Sequence, residues 1–163
     1  MAKGSDAVNY PPVGFYFSVD LAQAVGAPPS LKATVDNSFQ EVSGLSAEME
    51  TESVIEGGEN RFTHKVPKRT TYQNLILKRG LILSNSNFSK WCLEVLAGNL
   101  SKPIVPKNIT VSLLNERGKP AMTWQFFNAW PVKVLTSDFQ SMENKIVVET
   151  LEFAFQYFEQ KAA

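Results

Sequence analysis

Catalysis needs a base, a nucleophile or a metal cage, and the side chains that supply them are few and scattered in this sequence. His64 is the sole histidine, set between Thr63 and Lys65 in a charged stretch. A His-based triad needs partners, and a multi-histidine zinc site needs more than one imidazole, so neither can be completed here. Cys92 is the sole cysteine, which excludes an internal disulfide. Its place between Trp91 and Leu93 on an apolar stripe predicts burial as a small hydrophobe rather than thiolate chemistry.

Three carboxylates, Glu48, Glu50 and Glu52, follow a spacing of two and so share one face of a strand. That spacing could serve a cation site or a glycosidase pair, but a solvated strand face explains it more simply. A polar wall of a water-filled channel, or a surface meeting a neighbour's basic patch, lies between those readings. Gly57-Gly58 precedes no Gly-Lys-Ser/Thr pattern and reads as a turn that needs positive φ. Lys65, Lys68 and Arg69 surround Pro67 beside balancing acids, which favours a local protein contact over phosphate binding. Trp124, Phe126, Phe127 and Trp130 form an aromatic cluster of the core type. No group of residues amounts to an active site, so the sequence predicts neither an enzyme nor a cofactor.

The elements that would carry these residues are mostly strands. Phe15, Phe17, Val19 and Leu21 alternate with polar neighbours, and so do Leu45, Ala47 and Met49. Ala22 to Ser38, with Gly26 and Pro28-Pro29, reads as a loop. A third strand runs over Tyr72 to Leu83, with Gln73, Leu75 and Leu77 on one face. Phe88, Trp91, Cys92, Val95 and Leu96 form a helical stripe, with Ser86 or Asn87 placed to cap it and Gly98 to end it. Strands resume over Ile109 to Leu113, turn at Asn115 to Gly118, and return through Met122, Trp124 and Phe126. Pro131 predicts a bend or an edge within the continuing alternation. Ile146 to Phe158 alternates as a strand, with its last residues free to turn helical. The sum is a mainly antiparallel β fold with one helix packed on it.

At 163 residues, 44% hydrophobic and 20% charged, the chain is long enough for a sizeable core and ordinary for a globular protein. Sixteen basic and sixteen acidic residues cancel, so no general attraction to nucleic acid is implied and self-association is unopposed. Met1 to Asp6 contains no apolar h-region, and no stretch approaches the roughly 18 apolar residues of a membrane span. A protein folded in a bacterial-type cytoplasm is expected, with no membrane insertion by the monomer.

Larger blocks carry a resemblance. Phe39-Gln40-Glu41-Val42-Ser43-Gly44-Leu45, Glu56-Gly57-Gly58-Glu59-Asn60, Lys65-Val66-Pro67-Lys68-Arg69-Thr70 and Tyr72 to Gly80 read as a strand, a long loop and a returning strand. With Asn128-Ala129-Trp130-Pro131 and Glu149-Thr150-Leu151-Glu152-Phe153-Ala154, they make a chain that resembles the inner tail-tube proteins of contractile-tailed phages and contractile injection systems. The similarity runs from about Phe15 to Phe158. Lys68 stands where the family often has glycine, and Ala22 to Ser38 looks expanded.

The resemblance implies a small antiparallel β-barrel or sandwich with one flanking helix. Six copies would form a ring whose inner strands join around a lumen, and rings would stack into a tube driven by a contracting sheath. Residues 1–163 would be a single tail-tube domain, with a flexible N-terminal arm at 1–12 and an assembly hairpin loop at 48–69. Contacts in that loop fall to Glu48, Glu50, Glu52, Glu56, Gly57, Gly58, Asn60, Lys65 and Arg69. Alternation makes Ser46, Asn74, Lys78, Thr150, Glu152 and Gln156 the lumen-facing candidates. The implied partners are the protein itself, a sheath protein, a baseplate or spike adaptor, a tube terminator, and an effector cargo or a genome in the lumen. Assembly would take place in the bacterial cytoplasm, yielding a released or anchored particle or a virion. A type VI secretion tube protein, whose pattern lacks the Asn-Ala-Trp-Pro block, is the nearest alternative. A flavin-using β-barrel enzyme is the alternative of another class, and it would need a phosphate-binding cluster where the basic residues here are scattered.

Overall fold

A computed structural model describes residues 16–23, 34–36, 39–55, 57–58, 61–80, 86–98, 101, 103–137 and 147–162. The described elements are β1 (Tyr16–Gln23), β2 (Thr34–Asp36), β3 (Phe39–Ser43), β4 (Ala47–Val54), β5 (His64–Tyr72), β6 (Leu75–Gly80), α1 (Asn87–Ala97), β7 (Lys107–Leu114), β8 (Pro120–Thr136), β9 (Val148–Ala154) and β10 (Tyr157–Ala162). All pairings are antiparallel, in the order β2-β1-β7-β8-β9-β6-β3, with β10 also on β8 and with β4-β5 as a separate two-stranded ribbon.

The 17-residue β8 organises the fold. Its first half pairs with β7 and β10, its second half with β9, so one strand belongs to two half-sheets. The turn between them falls in Asn128-Ala129-Trp130-Pro131. Asn128 adopts φ 52°, a left-handed conformation that asparagine tolerates better than most residues. Its backbone N–H donates to Asn108 Oδ1 at 3.1 Å and its amide to Gln156 Oε1 at 2.7 Å. Ala129 is fully buried, and the register shifts between Pro131 and Lys133. The bend expected at Pro131 is present: proline offers no ladder donor, and a bulge lets the strand change direction there.

Each half-sheet buries one face. Val19, Leu21, Ile109, Val111 and Phe126 come from the first, and Leu75, Leu77, Leu151 and Phe153 from the second. The helix closes the core with Phe88, Trp91 and Cys92, the expected stripe, while Leu96 remains 38% exposed. Trp91 stacks on Phe153 with ring centroids 5.6 Å apart and planes at 14°. Trp124 is only half-buried, packed against the core without being enclosed by it. Ser86 stands at the N-cap, but its side chain makes no capping bond; its hydroxyl accepts from Arg79 Nη1 at 3.1 Å instead. Gly98 ends the helix in a right-handed conformation, φ −69°.

Several sequence expectations need correction. Thr34–Asp36, inside the stretch read as a loop, forms β2, and Ala22 and Gln23 extend β1. Three residues are too few to show a period; β2 exists because the open edge of β1 pairs with it. The third strand is interrupted at Gln73 and Asn74. The C-terminal segment is not one strand: it breaks at Phe155 and Gln156, and its last residues form β10 through Ala162 rather than a helix, since they find a ladder on β8. The long loop read within 48–69 is strand over most of its described length, forming the β4-β5 ribbon. The arm at 1–12 lies outside the described residues.

Candidate assembly surfaces

Two surfaces bring the sequence-predicted site residues together. The first is the outer face of the half-sheet β3-β6-β9-β8. Register places Glu41 opposite Lys78, Lys78 opposite Thr150, Ile76 opposite Glu152, and Glu152 opposite Lys133. Side chains of paired residues project to the same side of a sheet, so these form one polar face, while Leu75, Leu77, Leu151 and Phe153 fill the other. Lys78 Nζ lies 2.8 Å from Glu41 Oε1, and the Asn74 amide donates to Glu152 Oε1 at 2.7 Å. Four of the lumen candidates, Asn74, Lys78, Thr150 and Glu152, therefore meet on one face. Ser46 lies between β3 and β4, outside the ladders, and Gln156 lies at the corner, bonded to Asn128. Glu41 and Lys133 were missed; their contribution becomes visible only through register. With Lys78 and Glu152 they make a wall of two acids and two bases.

Both edges of this half-sheet are open among the described residues. β3 pairs with β6 alone, and Lys133 to Thr136 of β8 pair with β9 alone. Val132 and Leu135 on that edge are 44% and 51% exposed.

The second surface is the β4-β5 ribbon. Every residue of β4, and β5 as far as Thr70, is exposed. Glu48, Glu50, Glu52, Lys65 and Arg69 all lie on it. Gly58 takes φ +101° at its tip, the positive φ expected of the glycine pair. Glu56 and Asn60 lie outside the described residues. Pro67 cannot donate to the ladder, and the register shifts beside it, placing Lys68 and Arg69 opposite Glu50. Lys68 reaches Glu52 at 3.1 Å, the local contact expected of the basic stretch. Met49, Val54, Ile55, Phe62 and Val66 add exposed apolar area. Where the chain leaves β3, Gly44 has φ +88°, and a Cβ there would collide with the Asn74 carbonyl oxygen. Only glycine lets the ribbon depart so close to the entry of β6.

Neither lone reactive residue sits in a catalytic setting. Cys92 is buried, and burial, with the nearby Glu149 charge, pushes its thiol up to about 12. His64 is exposed at the start of β5, edge-on to Phe62 with 5.0 Å between centroids. Among the described residues, no helix is long and apolar enough to cross a membrane.

Comparison with known proteins places this geometry. Residues 13–159 match the model of the family described as T4-like virus tail tube protein gp19. A chain of the anti-feeding prophage baseplate is similar at 27% identity and TM-score 0.81, over 94% of this chain and 97% of that one. A chain of the sheath-tube complex of the extracellular contractile injection system PVC is similar at 23% identity and TM-score 0.76, over 100% and 99%. Hcp1 from Flavobacterium johnsoniae shares the fold at 13% identity and TM-score 0.52, over 91% and 96%. No curated protein matches the sequence. The family match spans nearly the whole chain, including the β4-β5 ribbon, both half-sheets and the Asn128 corner: this protein belongs to the T4-like tail tube protein gp19 family.

Proposed function

We propose that this protein is the inner-tube subunit of a contractile injection system or phage-like tail, a structural brick rather than an enzyme. Six copies form a ring, rings stack into a hollow tube, and a contracting sheath drives the tube through a target envelope with cargo in its bore. The observation that carries this reading is the half-sheet β3-β6-β9-β8, packed on one face, polar on the other and, among the described residues, open at both edges. Its strands alternate in direction. A second copy's β3, arriving beside β8, therefore continues the antiparallel pattern, and a closed ring leaves no edge unpaired.

The ribbon supports the same conclusion. A two-stranded ribbon with both faces in water is marginal alone, so its natural place is against another subunit or ring. Self-association comes first among the partners; a sheath, a baseplate adaptor and a terminator follow from the assemblies in which similar chains stand. The particle would be assembled in the cytoplasm of a bacterium, and its cargo would be an effector protein or a genome. The likeness to Hcp1 is one of fold at lower similarity, which ranks the type VI reading second.

Electron microscopy of the concentrated protein tests the proposal. Hollow tubes or stacked rings are expected; a monomer at all concentrations, or visible flavin absorbance in the purified protein, would overturn it.

A further inference from the structure

We propose that Arg79 is a positioning residue for tube assembly, setting the edge strand β3 in the geometry that a neighbouring subunit must meet. The proposal rests on the functional reading above. Arg79 lies on β6 and is 1% exposed. Its guanidinium is spread over three other elements. Nε donates to Glu149 Oε2 of β9 at 2.7 Å, and Nη1 and Nη2 donate to the hydroxyls of Ser86, at the helix N-cap, and Ser89 of α1, at 3.1 and 2.6 Å. Ser89 in turn donates to Glu149 Oε1 at 2.9 Å, closing the network. The guanidinium carbon also lies 4.9 Å from the centroid of the Phe39 ring on β3.

That last contact gives the cluster a use beyond the core. β3 is an edge strand, held on one side only among the described residues, and its register on β6 shifts between Phe39 and Glu41. Beyond the ladder, its described anchors are Lys78–Glu41 on the wet face, Val42 packed on the core, and Phe39 on the dry face. Phe39 sits against both Arg79 and Phe88, the latter edge-on at 5.4 Å. The surface pair is solvent-screened and weak. The buried cation beside an aromatic ring is the stronger hold, because desolvation strengthens cation–π attraction. Arg79 suits the place because its planar fork serves a carboxylate, two hydroxyls and a ring together; a lysine ammonium is a point charge.

The edge and the core can be separated experimentally. Replacing a buried ion pair by apolar residues of similar volume is commonly neutral for stability, whereas removing one partner is not. The double variant Arg79→Met/Glu149→Met is therefore expected to unfold at about the wild-type denaturant midpoint while assembling less readily. The concentration needed for tubes should rise about thirtyfold, the scale of one desolvated cation–π contact. Hydrogen exchange of the free monomer should show faster opening at residues 39–43 and unchanged protection at β7. Phe39→Leu keeps the ion pair and an apolar side chain but removes the ring, and it should shift assembly in the same direction should the double variant not fold. Arg79→Lys should restore assembly only in part. Variants that form tubes at the wild-type concentration overturn the role of Arg79 while leaving the functional reading intact. Wild-type protein that forms no tubes overturns that reading and this proposal with it.

Discussion

Lys78 and Glu41 join β6 to β3 at 2.8 Å on the wet face, and the next residue, Arg79, joins β6 to β9 through Glu149 at 2.7 Å on the dry face. The two pairs have similar lengths and very different surroundings. The first is half-exposed, at 39% and 54%, and the second buried, at 1% and 9%. Removing one partner of each should therefore give unequal losses. Glu41→Gln is expected to change stability by about 0–1 kcal/mol, and Glu149→Gln to cost about 3–5 kcal/mol because Arg79 is left charged and buried. Urea midpoints of the two variants check this, and equal losses would contradict it.

In the core, the order of two aromatic truncations should follow burial. Phe126 is fully buried and meets Phe155 at 4.8 Å, so Phe126→Ala should cost about 3–5 kcal/mol. Trp124 is half-buried, and Trp124→Ala should cost less despite the larger side chain. A reversed order, measured by chemical denaturation, would mean that the Trp124 side of the first half-sheet carries the core.

Cys92 gives stability an alkaline dependence with a definite sign. The thiol is pushed from 9.0 to about 12, chiefly by burial, so the native chain keeps a proton that the unfolded chain loses between those values. The resulting contribution is complete below about pH 9 and is lost as pH rises toward 12. Wild-type protein should lose stability more steeply between pH 9 and pH 11 than Cys92→Ala, in denaturant titrations at each pH. Parallel slopes would mean that Cys92 is not desolvated.

Deleting Ser53 to Phe62 removes the tip of the ribbon together with its last two pairs, Ser53 with Lys65 and Val54 with His64. Because the ribbon lies outside the buried core, circular dichroism and the cooperativity of unfolding should be retained. Tubes should be lost. Long tubes from the shortened protein would remove the ribbon from the stacking contact.

The polar half-sheet face can be addressed from inside. Single cysteines at Lys78→Cys and Glu152→Cys, each in a Cys92→Ser background, should react with small thiol reagents in assembled tubes. A reagent too bulky for the bore should leave them unlabelled. Equal labelling by the bulky reagent would put this face on the outside.

Much of the fold was legible because strand and helix periods are local. The stripe Phe88, Trp91 and Cys92, the turn at Asn115 to Gly118 and the bend at Pro131 each announce themselves within a few residues. What escaped was set by pairing. Thr34–Asp36 is a strand only because β1 offers an edge, and β10 stays extended only because β8 does. Alternation already put Arg79 on the inward face of Leu75 and Leu77, but its partner gave no local signal: only register brings Glu149 beside it. The polar wall was half visible: alternation picked Lys78 and Glu152, whereas Glu41 and Lys133 join them only once the strands are laid side by side.

The single strand shared by both half-sheets has a mechanical consequence. Away from β8 and the β9–β10 corner, the half-sheets cohere by side-chain contact, which slips under shear. Along β8 they are the same polypeptide, so load arriving at one layer passes to the other through covalent bonds, with Asn128 as the elbow. A brick tied internally in this way keeps its shape when pushed from behind, and a rod made of such bricks yields at its joints before its bricks.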